Sequence, residues 1–137
     1  QFLGLLLAVI GIKFFWNSAD FGGQVIQTKQ IIVTILAFIV PLTDTATVTI
    51  NRMMKRKSPF VGGKDHTTHH LSYLGLSDSQ VAMALAGISM ISIMLIFVVQ
   101  GSITDWGYGH IGFFGAYILL VSGSLYTITR IKRKNDE

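Results

Sequence analysis

The chain has 137 residues, half of them hydrophobic and only 13% charged, with a formal net charge of +4 and no cysteine. A soluble domain carries about a quarter charged residues, so this composition, with a mean hydropathy of +0.55, argues for a membrane protein. The lack of cysteine excludes disulfides, thiolate metal sites and cysteine nucleophiles. The positive charges flank apolar stretches instead of lining a soluble face, which argues against nucleic-acid binding.

Gln1 is followed at once by an apolar run, with no charged leader and no small-residue cleavage site, so the start is not a signal peptide. A chain that opens without methionine inside a hydrophobic segment reads as a portion of something longer. Four apolar segments follow in order: 2–16, which carries Lys13 near its end; 31–50, which contains Pro41 and Asp44; 81–99; and 111–128. The last two hold no charged residue. A 19-residue helix reaches roughly 28 Å, close to the hydrocarbon thickness of a bilayer. The runs are continuous and not alternating, so helices are expected and not barrel strands. The expected fold is all-α, a polytopic membrane protein of four transmembrane helices with a cytoplasmic histidine-bearing loop over 51–79.

Orientation follows from Lys and Arg. The loop 51–79 holds Arg52, Lys55, Arg56, Lys57 and Lys64, and the C-terminal tail holds Arg130, Lys132, Arg133 and Lys134. The segment 17–30 has only Lys29, and 101–110 has none. The positive-inside rule puts the loop and the tail in the cytoplasm, and four crossings put the N-terminus there too. Trp16, Trp106 and Tyr108 then fall at the opposite interface. Within the loop, Ser58-Pro59 and Gly62-Gly63 break helix. Residues 66–74 read as a short helix stopped by Gly75, and Ser77-Asp78-Ser79-Gln80 as a capping box that opens the third span.

Two places could carry chemistry. His66, His69 and His70 stand at i, i+3 and i+4, on one face if helical. They suit a metal ion, since histidines one turn apart can grip zinc. They equally suit an anion, helped by Arg52 and Lys64, or an ordinary solvated loop. Asp44 is the second place. An ionisable residue within an apolar span is costly and turns to a bundle interior or aqueous cavity. Thr43, Thr45, Thr47 and Thr49 make its helix polar on several sides, which also fits helix packing. Pro41 removes a backbone donor just before it and is expected to kink the helix. Arg52, two turns beyond Asp44, suits bidentate phosphate binding.

Pro41-Leu42-Thr43-Asp44, Arg52, Ser58-Pro59-Phe60, Lys64-Asp65-His66-Thr67-Thr68-His69-His70 and Leu74-Gly75-Leu76-Ser77 follow one another in an order that is specific in combination. In this the chain resembles the bacterial polyprenyl-phosphate N-acetylhexosamine-1-phosphate transferases and, more distantly, phospho-N-acetylmuramoyl-pentapeptide transferase. The family motif reads His-x-His-His. Ungapped, it puts His66 on its first histidine, Thr68 on its second and His69 on its third, with His70 additional. Relatives often have an aspartate where Gly63 stands here, with Asp65 close by.

The resemblance implies transfer of a sugar-1-phosphate from a UDP-sugar to polyprenyl phosphate with release of UMP, an early membrane step of cell-envelope polysaccharide synthesis. It implies His66, His69 and Asp44 as catalytic residues, with Arg52, Lys64 and His70 binding substrate. It implies Mg2+ as cofactor, held by acidic residues upstream of Gln1 and not by this chain, which would be the C-terminal portion of the enzyme. The expected partners are the UDP-sugar, polyprenyl phosphate, the lipid bilayer and a second copy in a homodimer. The alternative expectation is a non-enzymatic membrane module or transporter fragment with a metal-binding histidine loop.

Overall fold

A computed structural model describes residues 2–17, 19–20, 22–23, 25–58 and 66–131. The expectations for Pro59, Phe60, the Gly62-Gly63 turn, Lys64, Asp65 and the basic residues Lys132, Arg133 and Lys134 lie outside those residues. Among the described residues the chain is all-helical, without strands. The helices are α1 (Phe2–Ile10), which runs into a π-helical segment (Gly11–Trp16), α2 (Gln27–Ala37), α3 (Ile39–Met54), α4 (Thr67–Tyr73), α5 (Asp78–Gly101) and α6 (Tyr108–Ile128).

Helices α5 and α6 are long and apolar enough to cross a membrane, and α2 with α3 makes a third if the bent pair is one span. The first apolar segment is shorter. At 24 and 21 residues, α5 and α6 reach about 36 and 32 Å. Both are apolar all round. Met83, Met90, Met94 and Phe97 on α5 and Phe113, Leu119 and Leu120 on α6 point outward. Surfaces of that kind suit lipid better than water.

The segment 31–50 reads as one helix in sequence but forms two. They meet at Phe38 with a bend of 78°. Pro41 has no N–H for the Ala37 carbonyl, and its ring would crowd that carbonyl in a continuous helix. The chain resolves this by ending α2 at Ala37 and placing Pro41 in the first turn of α3, where a missing N–H costs nothing. The expected kink is therefore a full break. Thr34 adds to it by donating its hydroxyl to the Gln30 carbonyl at 2.8 Å, a contact that bends helices.

The chain divides into two compact units. In the first (Gln1–Ile39 with Ser89–Ile118), Ile32, Val33 and Leu36 of α2 pack with Ile96 and Val99 of α5 and Phe114 of α6. Gly11 opens the π-helical segment against the Phe38 ring, where a Cβ would sit 2.9 Å from the ring. Polar anchors complete the unit. The Ser92 and Tyr117 hydroxyls lie 3.0 Å apart. Lys29, 3% exposed, reaches Asp20 Oδ2 and the Ile103 carbonyl, each at 2.7 Å. Trp106 donates to Thr28 Oγ1 at 3.0 Å and stacks on His110 and Phe114. Trp106 is thus half-buried against this core, whereas Trp16 and Tyr108 are exposed.

In the second unit (Val40–Ile88 with Leu119–Glu137) a stripe of α3, Thr43, Thr47, Val48, Asn51 and Arg52, is buried. Thr43 pairs with Ser122 at 3.0 Å, and Asn51 Nδ2 donates to Thr129 Oγ1 at 2.9 Å. In a bilayer, where lipid supplies no hydrophobic drive between helices, such hydrogen bonds and close packing would carry the α3–α6 seam. Helix α3 runs on to Met54, four residues past the span read from hydropathy. It ends in a reversed turn with Arg56 at φ 54°, closed by Arg56 N–H to the Met53 carbonyl and Lys57 N–H to the Arg52 carbonyl. The end of α4 repeats this pattern with Gly75 at φ 97°, where glycine is the residue without steric cost.

Candidate functional site

The site is built where α4 meets α3. Asp44 lies in the second turn of α3, at the edge of the buried stripe and half-buried itself. Its carboxylate bridges the start of α4. Oδ1 accepts the Thr67 N–H at 2.7 Å, and Oδ2 lies 2.7 Å from His66 Nδ1, 22 residues along the chain. Thr67 is the first residue of α4, so Asp44 satisfies one of the orphan donors that every helix start leaves. A carboxylate there is also favoured by the helix dipole. His66 has extended backbone angles and its own side chain caps nothing. The cap comes from a different helix.

This placement anchors α4 to α3. Thr67 and Leu71, one turn apart, are buried, while Thr68 and His69 point outward. Downstream, Ser77 and Gln80 form the expected reciprocal box: Ser77 N–H to Gln80 Oε1 at 2.9 Å and Gln80 N–H to Ser77 Oγ at 3.4 Å. The loop that leaves α4 is thereby fixed to the start of α5.

The three histidines do not share one helix face. His66 precedes α4, and only His69 and His70 lie on it. His70 packs edge-on against Tyr73 with ring centroids 5.9 Å apart. His69 is exposed. Arg52, in the last turn of α3, is 6% exposed, so it enters the site as a packed side chain and not as an open cation. Lys64 lies outside the described residues. The structure therefore brings Asp44 and His66 together, keeps His69 and His70 within the next turn, and seats Arg52 further along α3.

Among the described residues no three of His, Cys, Asp or Glu converge closely enough to hold a metal ion. Both Asp44 oxygens already face nitrogen groups, which suits a carboxylate acting as acceptor and not as a magnesium ligand. The described residues thus do not form a site for the zinc of the alternative reading, and the Mg2+ that the resemblance implies is not expected on this chain's own residues. What they offer instead is a half-exposed imidazole, its side chain 51% accessible, held from behind by a carboxylate at 25%. A pair this open contributes little to stability, about 1 kcal/mol or less. Its consequence is orientation of the ring.

The bridge to the Thr67 amide is a feature that residue patterns alone do not reveal. Its only trace in sequence is negative. No Ser, Thr, Asp or Asn stands at position 66, so α4 begins without a local cap. Compared with known proteins, the chain matches no protein-family model, no curated protein and no solved structure.

Proposed function

We propose that this protein takes part in transferring a sugar-1-phosphate, an N-acetylhexosamine-1-phosphate, from a UDP-sugar to polyprenyl phosphate, with release of UMP. The observation that carries the reading is the Asp44–His66 pair. Two separate pieces of the motif order meet, Asp44 in the second turn of α3 and His66 just before α4, with an imidazole left half-exposed. In the transfer, an oxygen of the lipid phosphate attacks the sugar-bearing phosphorus and the bond from that phosphorus to UMP breaks. Two anions must approach each other, so hydrogen-bond donors and positive charge at the membrane surface do much of the work. His66 and His69 face the phosphates in this reading, Lys64 holds the acceptor end, and Arg52, packed along α3, contributes only its charge. The test is UMP release from UDP-N-acetylglucosamine or UDP-N-acetylgalactosamine by native membranes containing the complete gene product. Release that depends on added undecaprenyl phosphate is expected, and its absence with both sugars would remove the reading.

The same proposal assigns four crossings to the segments 2–16, 31–50, 81–99 and 111–128 and puts the histidine loop in the cytoplasm, where UDP-sugars are found. Basic flanks near Lys55–Lys57 and Arg130 support that side. Single cysteines at the exposed positions Lys57 and Asp105 test it in intact cells with an impermeant thiol reagent. Labelling at 105 and not at 57 is expected, and the opposite pattern would invert the assignment.

A further inference from the structure

We propose that Asp44 is a positioning residue: it holds His66 with the ring proton on Nδ1, leaving Nε2 to accept the proton of a phosphate monoester hydroxyl. The identity of that phosphate, the lipid acceptor, rests on the transferase reading above. The ring state does not.

An ionised carboxylate can only accept hydrogen bonds, so the nitrogen 2.7 Å from Asp44 Oδ2 must be the one that carries the proton. An isolated neutral histidine prefers its proton on Nε2, and the carboxylate reverses that preference. Asp44 is itself restrained, because Oδ1 accepts the Thr67 N–H at 2.7 Å. Turning the carboxylate away from His66 would uncap α4, whose Thr67 and Leu71 are buried. The imidazole is thus gripped on one edge, while the side chain remains 51% exposed.

The chemistry this permits is balanced. A phosphate monoester has a second pKa of about 6 and keeps its last proton for part of the time near neutrality. Nε2 takes that proton, breaking O–H and forming N–H. The freed oxygen attacks the sugar-bearing phosphorus, and UMP leaves with the electron pair of the broken P–O bond. The imidazolium then lies between Asp44 and the new diphosphate. Asp44 keeps its charge and orients the ring without taking the proton, as the carboxylate does in Ser-His-Asp triads.

The experiment uses the complete gene product, labelled with 15N-histidine, in nanodiscs at pH 8.5. Nitrogen spectra assign the His66 tautomer. The wild type is expected to carry the proton on Nδ1. In Asp44→Asn, the amide oxygen keeps the Thr67 N–H and the amide N–H2 turns to Nδ1, so the proton moves to Nε2. Exchange of the Thr67 amide should stay within about threefold of wild type, because the cap survives. UMP release should fall about 10²-fold in kcat with KM little changed, the scale of a lost general base. Asp44→Ala should speed Thr67 exchange as well. A wild-type spectrum with the proton on Nε2 overturns the proposal without any variant. So does a tautomer unchanged in Asp44→Asn, or a moved proton with undiminished turnover, which would leave Asp44 only as a cap. If wild-type membranes release no UMP, the transferase reading is lost and the spectra alone still decide the ring state.

Discussion

His66→Ala is expected to lower lipid-dependent UMP release by about 10²-fold or more, the scale of losing one preorganised donor or base. The loss should appear in kcat, since the ring acts on the reacting phosphate and not on the bulk of either substrate. The fold should survive, because the exposed pair adds little stability and α4 keeps Thr67 and Leu71 buried. Asp44 would still accept the Thr67 N–H. His69→Ala should also fall by about 10²-fold if the family motif aligns without a gap. His70→Ala should cost less, since that ring packs against Tyr73. Turnover of the three variants, normalised to membrane protein level, decides between the readings. Rates near wild type for both His66→Ala and His69→Ala would leave the loop as merely solvated. A greater loss for His70→Ala than for His69→Ala would show the motif shifted by one residue.

The second large effect lies away from the site. Lys29 and Asp20 form an ion pair with side-chain accessibilities of 3% and 5%. The ammonium also reaches the Ile103 carbonyl and lies 5.9 Å from the centre of the Trp106 ring. Removing one partner strands the other charge out of water, so Lys29→Met should lower the unfolding free energy by about 3–5 kcal/mol. Asp20→Leu should do much the same. The double variant should regain most of the loss, because two apolar side chains of similar volume bury no charge. Denaturant titration in mixed micelles measures all three. Single variants within about 1 kcal/mol of wild type would mean that water reaches the pair.

Much of this protein is written in its sequence in a form that elementary rules can read. Unbroken apolar runs without charge produce α5 and α6, each long and apolar enough to cross a membrane. Gly75 ends α4 since the turn there needs a positive φ, and Ser77 with Gln80 opens α5 through bonds only three residues long. Pro41 announces a disturbance in the second apolar segment, although its size, a break of 78°, depends on how the flanking residues pack. Asp44 and His66 are each conspicuous alone, one as a charge in an apolar helix and the other as part of a histidine cluster.

What the sequence could not determine is which of these residues meet. The pairing of Asp44 with His66 spans 22 positions, and the reach of Lys29 to Ile103 spans 74. Helical periodicity puts three histidines on one face, yet His66 leaves the helix because its backbone is extended before Thr67. Charge counting places Lys29 in a loop, yet packing buries it. Local rules act over one or two turns, through hydrogen bonds and steric contacts whose partners are neighbours in the chain. Contacts between distant segments depend on how whole helices pack, and only the tertiary structure decides that a helix start without a local cap takes its acceptor from Asp44.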